Sequence, residues 1–170
     1  LGDKIYNTGL IGIALSGDIE VDTIVAQGCR PIGEPMKITD CQDTLLKSLD
    51  GKPTLEILQD LNETLSESDK KLLQTSLFLG IEMDPMKDEP KQGDFLIRNL
   101  MGVDRESGAL AIGALLRNGQ LVQFHLRDKK MSAEDLDVML TRYLSQGQAE
   151  NASGALLFSC LGRGKYLYGE

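Results

Sequence analysis

Two turn signals constrain this chain most. Gly17-Asp18 closes the apolar run 9–16 and opens the alternating stretch from Ile19 to Val25. Asn118-Gly119 lies between the apolar runs 110–116 and 120–126. Strands joined by so short a connection can pair only antiparallel, because a parallel partner needs a crossover of about a dozen residues or more. The order of elements extends the argument. Strand-like runs cluster at 9–49 and 95–126, and helical patterns follow them at 53–75 and 132–145. The regular β-α-β alternation of a doubly wound parallel sheet is absent. The expected class is therefore α+β: mixed, largely antiparallel sheets built from hairpins, with helices packed against them.

Local signals place the elements. Residues 9–16 are apolar on both faces and read as a central strand. Gly28-Cys29-Arg30-Pro31-Ile32-Gly33 carries two glycines and a proline and reads as a loop. Short strands are expected at 36–39 and 44–49, closed by a turn at Asp50-Gly51. Pro53 suits a first helical turn, and Leu55, Leu58, Leu61 and Leu65 recur at helical spacing. Ser66, three residues before Asp69, opens a second helix to about Thr75. Strands are expected at 76–83, 95–101 and 155–160. Ser132 is expected to cap a helix carrying Leu136, Met139, Leu140, Tyr143 and Leu144 on one face. The stretch 84–93, with two prolines, a glycine and five charges, reads as a loop or linker between the halves 1–83 and 94–170.

Charge and composition exclude whole classes of function. Twenty-six acidic against eighteen basic side chains leave a net charge of −8, and no local basic patch offsets it. Phosphate backbones and anionic lipid are repelled, so neither nucleic acid nor membrane insertion is expected. No apolar run approaches the roughly 20 residues of a membrane span. Three scattered cysteines fit neither a disulfide framework nor a zinc site and suggest a reducing, cytoplasmic setting. The single histidine, His125, would have to serve any Ser-His or Cys-His catalyst. It alternates with Gln123 and Arg127, opposite Val122, Phe124 and Leu126, and reads as part of a polar strand face. The acidic clusters 84–89 and Glu134-Asp135-Asp137 lack calcium-loop spacing and read as solvated faces. Gly162-x-Gly164 lacks the third glycine and the helix of a dinucleotide fingerprint. No cofactor, metal or catalytic group is expected.

What remains is a set of polar residues at glycine-rich strand ends. Cys160 is followed by Gly162, Arg163 and Gly164, and Cys29 is followed by Arg30. A neighbouring guanidinium makes a thiol more acidic, whereas a buried cysteine is an inert small hydrophobe. Arg98-Asn99 interrupts an apolar strand, and a covered arginine must find an anion or carbonyls. Arg98 and Arg163 are expected to hold one carboxylate where the two halves meet, with Asn99 as a secondary contact.

Taken in order, these motifs resemble the FIST sensory domain family. The likeness runs through Gly9–Gly17, Val21–Gly33 and Leu49-Asp50-Gly51-Lys52-Pro53. It resumes at Gly93–Gly102, with Phe95-Leu96-Ile97-Arg98-Asn99 inside it, and at Gly154–Gly164. It implies that residues 1–83 are the end of the family's N-terminal segment and 94–170 the first part of its C-terminal segment. It further implies an intracellular small-ligand sensing or signal-transduction module, with amino acids or small carboxylates as ligands and no catalysis. The ligand-binding candidates are then Arg98, Arg163, Asn99, Cys160, Gly162, Gly164, Cys29 and Arg30. An adaptor that recruits a signalling protein is the alternative, and a cysteine-dependent enzyme comes last.

Overall fold

The computed structural model describes residues 8–10, 12–87, 89–90, 93–104, 106–159 and 163–169. Seven strands run in the order β1 (Arg30–Gln42), β2 (Leu45–Leu49), β3 (Lys52–Pro53), β4 (Leu77–Glu82), β5 (Phe95–Val103), β6 (Leu110–Ile112) and β7 (Leu121–Leu126). Helices α1 (Thr54–Thr64) and α2 (Glu67–Thr75) precede β4. Helix α3 (Lys129–Ser145) follows β7, and α4 (Lys165–Tyr168) is a single turn.

The sheet order is β1-β7-β4-β5-β6-β2-β3, and β1 also pairs with β2, so six strands close a ring. Every pairing is antiparallel. The architecture is thus an α+β barrel of antiparallel strands with helices against it. Closure leaves few open edges, the usual liability of antiparallel sheets. The loop 84–93 joins the adjacent strands β4 and β5, which pair from Phe78 with Asn99 to Glu82 with Phe95.

Alternation decides what fills the ring. Leu79, Ile81, Val122, Phe124 and Leu126 point inward with Ile32, Ile38, Leu46, Leu49, Leu110 and Ile112, all buried. Leu55, Leu58 and Leu61 of α1 and Leu72 and Leu73 of α2 pack on this core. Leu55, Leu58 and Leu61 are the residues whose helical spacing marked the first helix. Ser66 caps α2 by accepting from the Asp69 backbone N–H at 3.2 Å.

Some connections differ from the sequence reading. Asp50-Gly51 does form the two-residue turn between β2 and β3, with φ of 46° and 80°. Asn118-Gly119 does not join a hairpin, because β6 pairs with β5 and β2 while β7 pairs with β1 and β4. Instead, the Gly119 N–H donates to Ile38 O and the Ile38 N–H donates to Gln120 O. The expected loop 28–33 is strand over its last four residues, since β1 begins at Arg30. Residues 12–29 carry neither strand nor helix, so the hairpin at Gly17-Asp18 is not formed. Residues 155–159, expected as a strand, likewise carry neither strand nor helix. No helix among the described residues is long and apolar enough to cross a membrane.

Candidate functional site

The outward face of β4, β5 and β7 carries Phe78, Gly80, Phe95, Ile97, Asn99, Gln123 and His125, as the strand registers require. Helix α3 covers part of this face. Its N-cap is Asp128, whose side chain accepts from the Met131 N–H at 2.7 Å. Ser132, the expected cap, therefore lies inside the first turns, fully buried, with its hydroxyl unpartnered. Asp135, one turn on, is buried as well and accepts from the Gly28 N–H at 2.7 Å. It does not lie on a solvated face.

The approach of residues 26–29 to α3 depends on glycine. Gly28 has φ of +65°, and a Cβ there would lie 2.3 Å from Ser132 Oγ and 2.9 Å from an Arg163 guanidinium nitrogen. No other residue fits. Next to it, Gln27 uses its side-chain amide as a strand edge would. It donates to Phe95 O at 2.5 Å and accepts from the Ile97 N–H at 2.8 Å.

Cys29 is 4% exposed and receives an N–H bond from Arg127 Nε at 3.3 Å. Arg127 also donates to Gln27 O at 3.1 Å and lies 4.5 Å over the Phe78 ring. Burial pushes the Cys29 thiol above its ordinary pKa, and the Arg127 and Arg163 charges only partly oppose that. The thiol is therefore the protonated form at neutral pH. His125 is 1% exposed, against Gly80 and with its ring 5.6 Å from that of Phe95. Its Nδ1 is 2.9 Å from Gln123 O. A carbonyl only accepts, so the proton is assigned to Nδ1 and Nε2 is left as an acceptor. Burial holds the imidazole below its usual pKa, which keeps it neutral.

Gln27, Cys29, Phe95, His125, Asp135 and Met139 line a cavity of about 10 Å³. That is room for one water-sized group. A larger hollow of about 390 Å³ lies along α1, lined by Leu55, Leu58, Gln59, Asn62 and Glu63. One helix forms its whole lining, whereas polar groups from three segments, 27–29, β7 and α3, converge on the smaller one.

The sequence candidates fall in different places. Cys29 and Arg163 join this cluster, Arg163 by donating to Ala26 O. Gly164 adjoins α4, which Lys129 Nζ tethers through Tyr168 O at 3.2 Å. Arg98 pairs with Leu79 and so points to the barrel's inner side, with its Nε buried and unpartnered. Asn99 is exposed on the outer side. The structure therefore does not bring Arg98 and Arg163 together: strand alternation turns Arg98 inward, whereas Arg163 lies outside the barrel beside Ala26 and Gly28. Arg30 is ion-paired with Asp69 of α2. Cys160 and Gly162 lie outside the described residues. Gln27, His125, Arg127, Ser132 and Asp135 were not candidates from sequence. The one legible signal was the polar alternation Gln123, His125, Arg127, which marks a wet face until a helix covers it.

Two family models match the chain in tandem, the FIST N domain over residues 1–52 and the FIST C domain over residues 55–170. The chain belongs to the FIST family. FIST domains are sensory, signal-transduction domains and not an enzyme family. An uncharacterized protein of Mycobacterium tuberculosis is 36% identical over 165 residues, covering 97% of this chain and 43% of the relative. An uncharacterized protein of Mycobacterium bovis is also 36% identical, with 42% of its length covered. The chain thus spans less than half the length of these relatives. No solved structure matches it.

Proposed function

We propose that this FIST chain is a non-catalytic module that senses a small ligand in the cytoplasm, with amino acids or small carboxylates as the ligand class. The observation that carries this reading is the polar cluster under α3. There the neutral His125 and the unpartnered Ser132 hydroxyl are buried beside Arg127, Arg163 and Asp135. Buried polar groups without partners are costly and rarely persist without a role. The cavity is too small for a whole amino acid, so binding requires α3 or the Arg163 segment to move. A sensor needs such a coupling between occupancy and shape. Cys29, Arg163 and Gly164 stay in the proposed site, with His125, Arg127 and Asp135 added, and Cys160 and Gly162 stay candidates from the sequence alone. Arg98, Asn99 and Arg30 are proposed only as outlying contacts. A cysteine-dependent enzyme is disfavoured by the protonated, covered Cys29.

A thermal-shift titration with amino acids and small carboxylates tests the proposal. A ligand that binds only the folded state raises Tm as its concentration rises. The Arg127→Gln variant should lose that response. A panel in which no compound moves Tm rejects the reading. A second reading, an adaptor for a signalling protein, is favoured by the exposed side chains Leu10, Ile13, Leu157 and Phe158. Its test is a stoichiometric partner in a pull-down that Phe158→Asp abolishes. Recovery of no such partner counts against it.

A further inference from the structure

We infer that the backbone of residues 26–28 is a built-in occupant of the sensing site, and that a zwitterion carrying one carboxylate and one ammonium group takes its place. The inference rests on the sensing reading above and assigns the two ends of that site. Three charged side chains converge on three consecutive residues. Arg163 donates to Ala26 O, Arg127 donates to Gln27 O at 3.1 Å, and Asp135 accepts from the Gly28 N–H at 2.7 Å. Each of them meets a neutral peptide group. Among the described residues, none of the ion pairs includes Arg127, Arg163 or Asp135, although Asp135 is only 7% exposed. A covered charge is costly unless an opposite charge meets it.

The pattern of those peptide groups names the class of ligand. Residues 26–28 present an acceptor, an acceptor and a donor to two guanidinium groups and one carboxylate. A free α-amino acid presents the same set with full charge, as two carboxylate oxygens for the arginines and an ammonium for Asp135. Hydrogen bonds between ionised partners are shorter and stronger than those to neutral amides, so the exchange is favourable at both ends. Ser132 supplies an independent sign. It has no exposed surface, its hydroxyl has no partner, and a Cβ on Gly28 would collide with that hydroxyl. The hydroxyl is thus aimed at residue 28, which leaves it unpartnered, and a ligand in that place gains a further donor and acceptor. Displacement parts residues 26–28 from α3 and from Arg163, the movement that the small cavity requires. Because β1 begins two residues on, at Arg30, occupancy becomes a change of shape in the chain that enters the barrel.

A thermal-shift panel of L-amino acids set beside their amine-free acids, alanine and propionate being one pair, tests this on the 170-residue chain. At least one amino acid should raise Tm at concentrations about tenfold or more below those its amine-free acid needs. At saturation with that amino acid, the Gly28 amide should exchange about tenfold or more faster, while the amides of β4 and β7 do not. Asp135→Asn keeps an oxygen for the Gly28 N–H and removes the charge, so it should erase the preference for the amine. An acid as potent as its amino acid overturns this inference and leaves the sensing reading standing. So does Gly28 exchange that the saturating amino acid leaves unchanged or slows, or an Asp135→Asn variant that keeps the preference. A panel in which nothing moves Tm rejects both.

Discussion

The two sides of the β4–β5–β7 wall are built from alternate residues of the same strands and obey opposite rules. Inward, Leu79, Ile81, Val122, Phe124 and Leu126 form an aliphatic and aromatic core, and Arg98 is a polar side chain that shares that side of the wall. Outward, Gly80, Gln123, His125 and the adjoining Arg127 meet Cys29, Asp135 and Ser132 beneath α3. The inner side gains from area removed from water and is tolerant of what neighbours it. The outer side gains little from area, and each polar atom there must be matched. The comparison teaches that stability and a responsive site share a strand because a side-chain period of two keeps them apart. One wall serves both.

Breaking the inner side carries the largest expected effect. Phe124 has no exposed surface, and Phe124→Ala should cost about 3–5 kcal/mol by lost burial and a cavity. Urea unfolding measures this, and a loss under about 1 kcal/mol would show that the barrel is not the stabilising core. Next comes the outer side at Gly80, where His125 and Phe95 close on the backbone. A Cβ at Gly80 would lie 2.5 Å from His125 Cε1 and 2.8 Å from Phe95 Cβ. Gly80→Ala should therefore cost about 1–3 kcal/mol through overpacking, read in the same titration. Shortening His125 to Ala in the Gly80→Ala background should recover part of that loss.

On the outer side, Asp135→Ala removes the acceptor of the buried Gly28 N–H, and such a group left unpaired costs about 1–3 kcal/mol. Exchange at the Gly28 amide should rise more than the global stability falls. Equal changes would mean that the Asp135 contact is not a local tether. The smallest effect is a pH slope. The His125 pKa is lowered in the folded chain, so the unfolded chain takes the proton first. Its contribution to stability is intact above the ordinary histidine pKa and is lost as pH falls from there towards the lowered folded value. His125→Gln should flatten that part of the stability–pH curve. An unchanged slope would mean that the ring is not buried neutral.

The inner side was the legible one. Leucines at 55, 58 and 61 and the alternation at 121–126 specify burial through local periodicity, and the structure places them in one core. The outer side was not. His125 and Arg127 sit on a face that reads as solvent-exposed until α3 lies on it, and Asp135 reads as a helix-surface carboxylate until Gly28 turns its amide towards it. A polar residue carries no local mark of being covered, because covering depends on an element far along the chain. The hairpin signals failed for a related reason. Asn118-Gly119 is a good turn, but its strands found lower-energy partners in β1 and β4, β5 and β2 once the ring could close.

The sequence by itself determined the class of fold, the helices α1 and α2, the cap at Ser66, the Asp50-Gly51 turn and the membership of this chain in the FIST family. All of these rest on spacing within a few residues or on an ordered series of motifs. Only the tertiary structure decided that six strands close into a barrel, that Arg98 and Arg163 part company, and that Cys29, His125 and Asp135 meet. The contact between Gly28 and Asp135 spans 107 residues and that between Arg127 and Cys29 spans 98. Such contacts depend on which strand pairs with which, and the free energy that selects a pairing is summed over the whole buried core rather than written at either end.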